Sequence, residues 1–196
     1  MIEDTRTEKK HLRKKILALR DALPPEERRQ KSASIHLHLF SLPEFIAARS
    51  VAFFVSFRSE VLTESMIREA LALPKVVAVP ITDLTNKRLL FSRIIDYTGD
   101  LAPGTWGIPE PQRDRVRPLT LEEIDLLITP GAAFDQRGKR IGYGGGFYDG
   151  VLTSFQKPSV ALAYAVQMVE EVPTVSGHDQ PVDIIITEEG IMRCKK

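Results

Sequence analysis

The strongest constraint on the fold is a series of short apolar segments that alternate with helical segments after residue 50. The apolar runs at 51–56, 76–80 and 159–163 have the length of buried strands. Helical patterns at 63–73 and 147–155 separate such runs. Strands that alternate with helices are typical of a largely parallel sheet covered on both faces. We therefore expect an α/β fold, with all 196 residues in a single three-layer α/β/α, Rossmann-like domain.

The remaining elements follow from the same periodicities. Pro24-Pro25 ends a first helix and begins a second one, because proline is tolerated at the first helical position. The stretch 96–118 has no clear element, and loops of that length are usually functional or mobile. Further predicted helices are 5–23, 25–40, 120–123 and 166–171, and further predicted strands are 88–95, at a sheet edge, 125–129 and 182–187.

The first helix carries a concentrated positive charge. Residues 1–20 contain seven basic side chains and three acidic ones. An apolar stripe is formed by Leu12, Ile16, Leu19 and Leu23. At about 100° per residue, the sector beside this stripe contains Arg6, Lys9, Arg13 and Arg20, whereas Lys10 and Lys14 lie nearly opposite. We expect the first group to border a cleft and the second to remain in water.

Composition excludes several classes of protein. The chain has 27 Lys and Arg against 26 Asp and Glu, which argues against a protein built mainly to coat nucleic acid. Its longest apolar run, 160–166, is too short to span a bilayer, and the charged N-terminal segment is unlike a secretory signal. The single cysteine, Cys194, cannot form an internal disulfide. We expect a cytoplasmic monomer that acts on small molecules, without nucleic acid or membrane partners.

The densest local signal is glycine-rich, with five glycines in residues 142–150. Glycines let the backbone approach a ligand and expose its N–H groups, and the following helix directs its positive end to the same place. This arrangement favours an anion, above all a phosphate. The segment lacks the GxxxxGK[ST] pattern, and GxGxxG would require glycine in place of Phe147. A flexible surface turn remains the alternative.

Four other residues are candidates for a site. Asp149 suits the positive end of a helix without any ligand, but beside a phosphate it could hold Mg²⁺. Asp183 begins an apolar strand and needs a partner or a metal. Glu60 is either a solvated loop acid or a ligand-binding group beyond the carboxyl end of a strand. Trp106, in the long loop, is either a core plug or a platform for a flat heteroaromatic substrate.

The motifs together resemble those of the 5-formyltetrahydrofolate cyclo-ligase family, in the family's order and over almost the whole chain. One member of the set, His178-Asp179, read by itself is either an oriented pair or a loop-ordering hydrogen bond. The motifs that carry the resemblance are Lys9 to Arg13, Phe57 to Thr63, Trp106 to Pro111, Pro130 to Asp135, Arg140 to Asp149 and His178 to Asp183.

The resemblance implies an ATP- and Mg²⁺-dependent conversion of 5-formyltetrahydrofolate to 5,10-methenyltetrahydrofolate, with release of ADP and phosphate. It implies a role for Asp149 and Asp183 in binding Mg²⁺, and for Val55 and Glu60 in binding the folate together with Tyr143, Gly144, Gly145, Gly146 and Phe147. It implies ATP binding by Lys9, Arg13, Arg140, Ile141, Gly142, Tyr143, Gly144, Gly145, Gly146, Phe147 and Tyr148.

One departure from the family pattern concerns cations. Some members carry basic residues in the glycine-rich loop where this chain has Tyr143 and Gly145. The resemblance therefore moves the cationic role onto Lys9, Arg13 and backbone amides. Two rival interpretations remain open from the sequence: an enzyme for sugar phosphates or coenzyme A on a related α/β scaffold, and a nucleic-acid binder that uses the basic helix.

Overall fold

The structure, a computed structural model, describes residues 2–173 and 180–194, with side chains from residue 5 onward. The predicted His178-Asp179 pair lies outside these residues. Within them, no helix combines the length and the apolar character that crossing a membrane requires.

One eight-stranded sheet organises the described chain, in the order β12-β11-β10-β7-β1-β2-β3-β6. The five central strands, from β11 to β2, are parallel, and the outer pairings are antiparallel. This confirms the predicted α/β fold. The strands of the sheet are β1 (Ser50–Ala52), β2 (Val76–Asp83), β3 (Arg88–Ile94), β6 (Pro118–Leu119), β7 (Leu126–Thr129), β10 (Ser159–Leu162), β11 (Ile184–Thr187) and β12 (Gly190–Arg193); β4 (Leu101–Pro103) pairs with β5 (Pro109–Pro111), and β8 (Ala133–Phe134) with β9 (Arg140–Ile141).

Helices cover both faces of this sheet. The α-helices are α1 (Ile2–Asp21), α2 (Pro25–Ser41), α3 (Pro43–Ala47), α4 (Glu64–Ala72), α5 (Tyr97–Asp100) and α6 (Phe147–Ser154), and single 3₁₀ turns lie at Thr105–Gly107, Arg113–Arg115, Leu121–Glu123 and Ala165–Gln167.

Successive residues of each central strand contribute to two different cores. In β7, Leu126 and Ile128 pack with α2, α3 and α4, whereas Leu127 packs with α6. The same alternation divides the residues of β1, β10 and β11. Alternation is the consequence of the two-residue strand period, and burial on both faces explains why these strands are apolar without interruption. The three predicted layers are therefore present.

Two details of the sheet differ from the sequence prediction. The strand at 88–95 was expected at an edge, but β6 pairs with it and covers that edge. Thr63 is the N-cap residue of α4, but its side chain makes no capping hydrogen bond, although threonine is a common cap residue. Its hydroxyl instead donates to the carbonyl oxygen of Phe54 at 2.9 Å and accepts from the N–H of Ser56 at 2.9 Å. Thr63 thus fastens α4 to the segment that follows β1.

Helix α1 is rotated relative to its predicted apolar stripe. Ile16 is buried as expected, but Leu19 is 45% exposed. The buried face includes Arg20 instead, which is only 3% exposed. The packed face of α1 therefore includes part of the sector that was predicted to be cationic. Lys10 and Lys14 are exposed, as predicted.

The stretch 96–118 is more regular than the sequence suggests. It contains α5 and the hairpin of β4 with β5. At its base, the Arg117 guanidinium donates to the carboxylate of Asp100, and the N–H groups of Ile95 and Asp96 donate to the same carboxylate. Burial acts to raise the pKa of Asp100, but these donors together hold it below its usual range. The segment is thereby held at its base.

Candidate active site

A cavity of about 580 Å³ lies at the carboxyl ends of the parallel strands. Strand order reverses at β1, because the chain passes from β1 to β2 on one side and later to β7 on the other. Open α/β sheets bind ligands outside the carboxyl ends of strands at such a switch point. The segments after β1 and β7 line the cavity through Phe54, Val55 and Pro130. Its volume lies in the ordinary range for a small-molecule site.

The glycine-rich loop, residues 142–146, forms one wall of this cavity. Gly144 and Gly146 have φ values of +103° and +71°, a backbone region that favours glycine. Gly146 is also the N-cap residue of α6, so the positive end of this helix faces the cavity wall. The glycine-rich loop and the amino end of α6 thus meet at the cavity wall.

Arg13 of α1 lies directly against this loop. Its Nε donates a hydrogen bond to the carbonyl oxygen of Gly142 at 2.8 Å, and its side chain lines the cavity. Lys9, one helical turn earlier, is half-buried but does not line the cavity in the described structure. The structure therefore brings one of the two predicted cations of α1 to the site and leaves the other at its margin.

Asp149 lies in the first turn of α6 and lines the same cavity. Its Oδ1 accepts a hydrogen bond from Arg140 Nη2 at 2.8 Å, and the Arg140 side chain is buried. The helix end and the guanidinium both favour the ionised carboxylate.

Asp183 lies elsewhere and does not line the cavity that Asp149 lines. It immediately precedes β11, and its Oδ2 accepts hydrogen bonds from the N–H of Ser159 at 2.9 Å and from the Ser159 hydroxyl at 2.8 Å. Ser159 is the first residue of β10, so Asp183 stands at the amino ends of the parallel strands. The two carboxylates therefore lie at opposite ends of the parallel strands.

Glu60 is a buried acid and not a solvated one. It is 8% exposed, and its carboxylate accepts a hydrogen bond from the N–H of Phe57 at 2.8 Å. Burial raises the pKa of Glu60, and the hydroxyl of Tyr143 and the charge of Arg20 act in the opposite direction. A carboxylate that lines a cavity with so few donors retains lone pairs for a ligand.

Two tyrosines stand near this carboxylate. The Tyr143 ring is half-exposed, while its hydroxyl accepts a hydrogen bond from Arg20 Nη1. The Tyr148 hydroxyl is buried and has no hydrogen-bond partner among the described residues. Burial, followed by the charge of Glu60, raises the pKa of both hydroxyls, so both remain neutral donors at physiological pH. An unsatisfied buried hydroxyl in a cavity wall is a donor available to a ligand.

Trp106 forms the outer lip of the cavity. It is 61% exposed, with a φ of 58°, and its ring contacts Phe147 edge-on at a centroid distance of 6.0 Å. The core-plug alternative is therefore wrong. Glu110 approaches the cavity from the same segment, where its Oε1 accepts from the N–H of Thr82 at 3.2 Å.

Most of the predicted site residues meet at this one cavity. Lys9, Ile141, Gly144 and Asp183 are not among the residues that line it, and Ile141 is buried behind it. Arg20, Arg58 and Glu110 line it but had no predicted role, although the helical sector had placed Arg20 on the correct face. The predicted residues that line the cavity are Arg13, Val55, Glu60, Trp106, Arg140, Gly142, Tyr143, Gly145, Gly146, Phe147, Tyr148 and Asp149.

Comparison with known proteins gives one consistent result. The profile of the "5-formyltetrahydrofolate cyclo-ligase family" matches residues 5–188. The chain is 34% identical over 182 residues to the 5-formyltetrahydrofolate cyclo-ligase of Haemophilus influenzae, covering 91% of this chain and 97% of that protein. Its identity to the Escherichia coli K12 protein of the same name is 33%, covering 88% and 96% of the two chains.

Solved structures agree with this result. The NMR structure of Aquifex aeolicus 5,10-methenyltetrahydrofolate synthetase superposes with a TM-score of 0.84 at 33% identity, covering 96% of this chain and 93% of that one. The Mycoplasma pneumoniae synthetase, at 21% identity and a TM-score of 0.72, shares the fold and covers 92% and 98% of the two chains. With matches of this extent, the chain belongs to the 5-formyltetrahydrofolate cyclo-ligase family of ligases.

Proposed function

We propose that the protein converts 5-formyltetrahydrofolate to 5,10-methenyltetrahydrofolate with ATP as co-substrate and Mg²⁺ as metal, releasing ADP and phosphate. The observation that carries this proposal is a single cavity with two chemically different walls. One wall combines a glycine-rich loop, a helix N-terminus and Arg13, and the other a buried carboxylate and an exposed tryptophan; two tyrosines, one from the loop and one from the helix, lie near the carboxylate. The family relationship supports the same reaction.

The first wall suits the phosphates of ATP. Backbone N–H groups at a helix N-terminus bind anions, and an arginine adds a charge-assisted donor. Arg13 is held by Gly142 through Nε, so its terminal nitrogens remain directed along the loop. Phosphoryl transfer requires positioning and charge neutralisation more than covalent help from the protein.

The second wall suits the folate. A pterin ring presents adjacent N–H donors, which a buried carboxylate such as Glu60 can accept. The Tyr148 hydroxyl supplies a donor, and Trp106 offers an exposed aromatic face at the cavity lip. A ligand that pairs with these buried groups would satisfy hydrogen bonds that the protein itself does not supply to them.

The chemistry requires both walls at once. Ring closure must expel the formyl oxygen, which is a poor leaving group. Transfer of the γ-phosphoryl group to that oxygen yields an imidate phosphate; the second folate nitrogen then attacks the formyl carbon, and phosphate leaves. The chain's part is to hold the two substrates in line and to stabilise the charge that develops on the transferred group.

The residues at the cavity are compatible with one Mg²⁺ ion. Within the described residues no group of three metal-ligating side chains occurs. Mg²⁺ is commonly bound by one or two carboxylates together with substrate phosphates and water, so Asp149 alone suffices as the protein ligand. Bound there, the ion would neutralise charge on the phosphate oxygens. Asp183 is not proposed for this role.

A spectrophotometric assay for methenyl-folate tests the proposal. We expect product only when 5-formyltetrahydrofolate, ATP and Mg²⁺ are all present, with one ADP formed per product. Product formation without nucleotide would contradict the proposal, as would ATP hydrolysis that does not depend on the folate. Substitution of the folate by a sugar phosphate or an acyl-coenzyme A tests the rival enzyme classes.

A further inference from the structure

Arg20 is a buried cation that the proposed reaction does not yet use. It lies in the last turn of α1, is 3% exposed and lines the cavity. Its Nη1 donates to the hydroxyl of Tyr143, and its Nε donates to the hydroxyl of Ser59 at 2.9 Å. Burying a guanidinium is costly, so its retention here calls for a specific role.

The two partners of Arg20 lie near Glu60, the carboxylate proposed to bind the folate. Ser59 directly precedes Glu60, and its hydroxyl donates to the carboxylate of Asp21 while accepting from Arg20. Tyr143 approaches from the glycine-rich loop, where its hydroxyl donates to the carbonyl oxygen of Gly131 at 3.4 Å and lies close enough to Glu60 to lower the pKa of that carboxylate. One guanidinium thus contacts both the segment that carries Glu60 and the tyrosine hydroxyl near its carboxylate.

Arg20 shares its helix face with Arg13, and both side chains contact the glycine-rich loop. Arg13 and Arg20 are seven residues apart, which places them two turns apart on one helix face. Arg13 contacts Gly142 and Arg20 contacts Tyr143, so α1 holds consecutive residues of the glycine-rich loop.

We propose that Arg20 is a positioning residue that aligns the Tyr143 hydroxyl with the Glu60 carboxylate and thereby orients the carboxylate for the folate. This inference rests on the proposed function. It requires arginine and not merely a positive charge, because Nε and Nη1 of one planar group serve Ser59 and Tyr143 at the same time. A lysine has a single nitrogen and cannot reproduce that fork.

Binding of each substrate to Arg20→Gln, Arg20→Lys and Tyr143→Phe, measured by calorimetry, tests the proposal. We expect the Kd for 5-formyltetrahydrofolate to rise about tenfold or more in all three variants, the effect of losing a hydrogen bond to a charged group. The Kd for a non-hydrolysable ATP analogue with Mg²⁺ should stay within about twofold. The double variant Arg20→Gln/Tyr143→Phe should be no weaker in folate binding than Arg20→Gln, because the two residues act as one unit.

Several results would overturn the proposal. Restoration of folate affinity by Arg20→Lys would show that charge alone suffices, and equal losses for folate and nucleotide would show a general structural role. Thermal unfolding confirms that each variant is folded, and Lys14→Gln, on the exposed face of the same helix, is the matched control. Should an Arg20 variant fail to fold, Tyr143→Phe decides the matter, since it removes one hydroxyl from a half-exposed residue. Absence of cyclo-ligase turnover in the unmodified protein would instead reject the proposed function, and this inference with it.

Discussion

The two edges of the central sheet use carboxylates in opposite ways. At the amino ends of the strands, Asp125 accepts hydrogen bonds from the N–H groups of Arg49 and Ser50 and from Lys157 Nζ. Lys157, together with these N–H groups, holds the pKa of Asp125 below its usual range. At the carboxyl ends, burial raises the pKa of Glu60. The first acid is satisfied by the protein, and the second is kept for a ligand.

This difference explains why some acids at strand ends stabilise the fold while others are available to a ligand. Asp183 at the amino edge joins β10 to β11 through Ser159, and it leaves little for a metal to gain. Glu60 and Asp149 at the carboxyl edge line a cavity. Of these two, Glu60 is the acid whose pKa burial raises, and a buried carboxylate with a raised pKa in a cavity is a candidate for a functional role.

The largest loss of activity should follow substitution of Arg13, which lines the cavity and is hydrogen-bonded to the glycine-rich loop. Arg13→Ala should cost about 2–4 kcal/mol in kcat/KM, the range for one preorganised electrostatic donor. Steady-state kinetics with ATP and folate varied separately measures this loss. Lys10→Ala and Lys14→Ala, on the exposed face, should change almost nothing. Equal losses at positions 10, 13 and 14 would show that only the bulk charge of the helix matters.

Asp149 and Asp183, both predicted from the family resemblance to bind Mg²⁺, lie at different edges of the sheet and should respond differently to substitution. Asp149→Asn should raise the Mg²⁺ concentration for half-maximal activity by roughly tenfold, the low end for a disturbed metal site. Asp183→Asn should leave that concentration unchanged and lower the midpoint of thermal unfolding, because it weakens the hydrogen bonds to Ser159. A Mg²⁺ titration of both variants decides, and a shifted requirement in Asp183→Asn would contradict the separation of the edges.

A smaller effect is expected at the cavity lip. Trp106→Ala should weaken folate binding by about 0.5–1.5 kcal/mol, the contribution of one aromatic contact beyond its buried area. Calorimetric titration with 5-formyltetrahydrofolate measures it, and Trp106→Phe should retain most of the affinity. Leu37→Ala, a change of a 72% exposed residue on α2, serves as the control.

Much of the fold could be predicted because strand and helix periods are local properties. The segments 76–80 and 159–163 were identified by their apolar runs, and α2 by proline at its first position. Strand β12 and the hairpin of β4 and β5 were missed, since their short segments pack through contacts distant in sequence. The packed face of α1 was predicted incorrectly because Arg20, and not Leu19, is buried there. Hydrogen bonds to two hydroxyl groups allow this arginine to be buried.

The candidate site was only partly predictable. Its glycine-rich loop has a local signature, and Glu60 follows a recognisable strand. Asp183 begins a predicted strand, and in a parallel sheet the start of a strand lies at the amino edge, so its place was predictable; its metal role came from the family resemblance alone. Glu110 reaches the cavity through a hairpin that has no clear sequence signal.

The contrast between edges is tested most directly by unfolding free energies of Glu60→Gln and Asp125→Asn between pH 5 and pH 8. A raised pKa means that the charged Glu60 lowers stability as pH rises above the usual value of 4.5, so the gain from Glu60→Gln should grow toward pH 8. The lowered pKa of Asp125 contributes stability above its usual value of 3.8, so Asp125→Asn should lose stability throughout this range. Folate affinity should fall only in Glu60→Gln. Loss of stability in both variants, with folate affinity unchanged in both, would contradict the account.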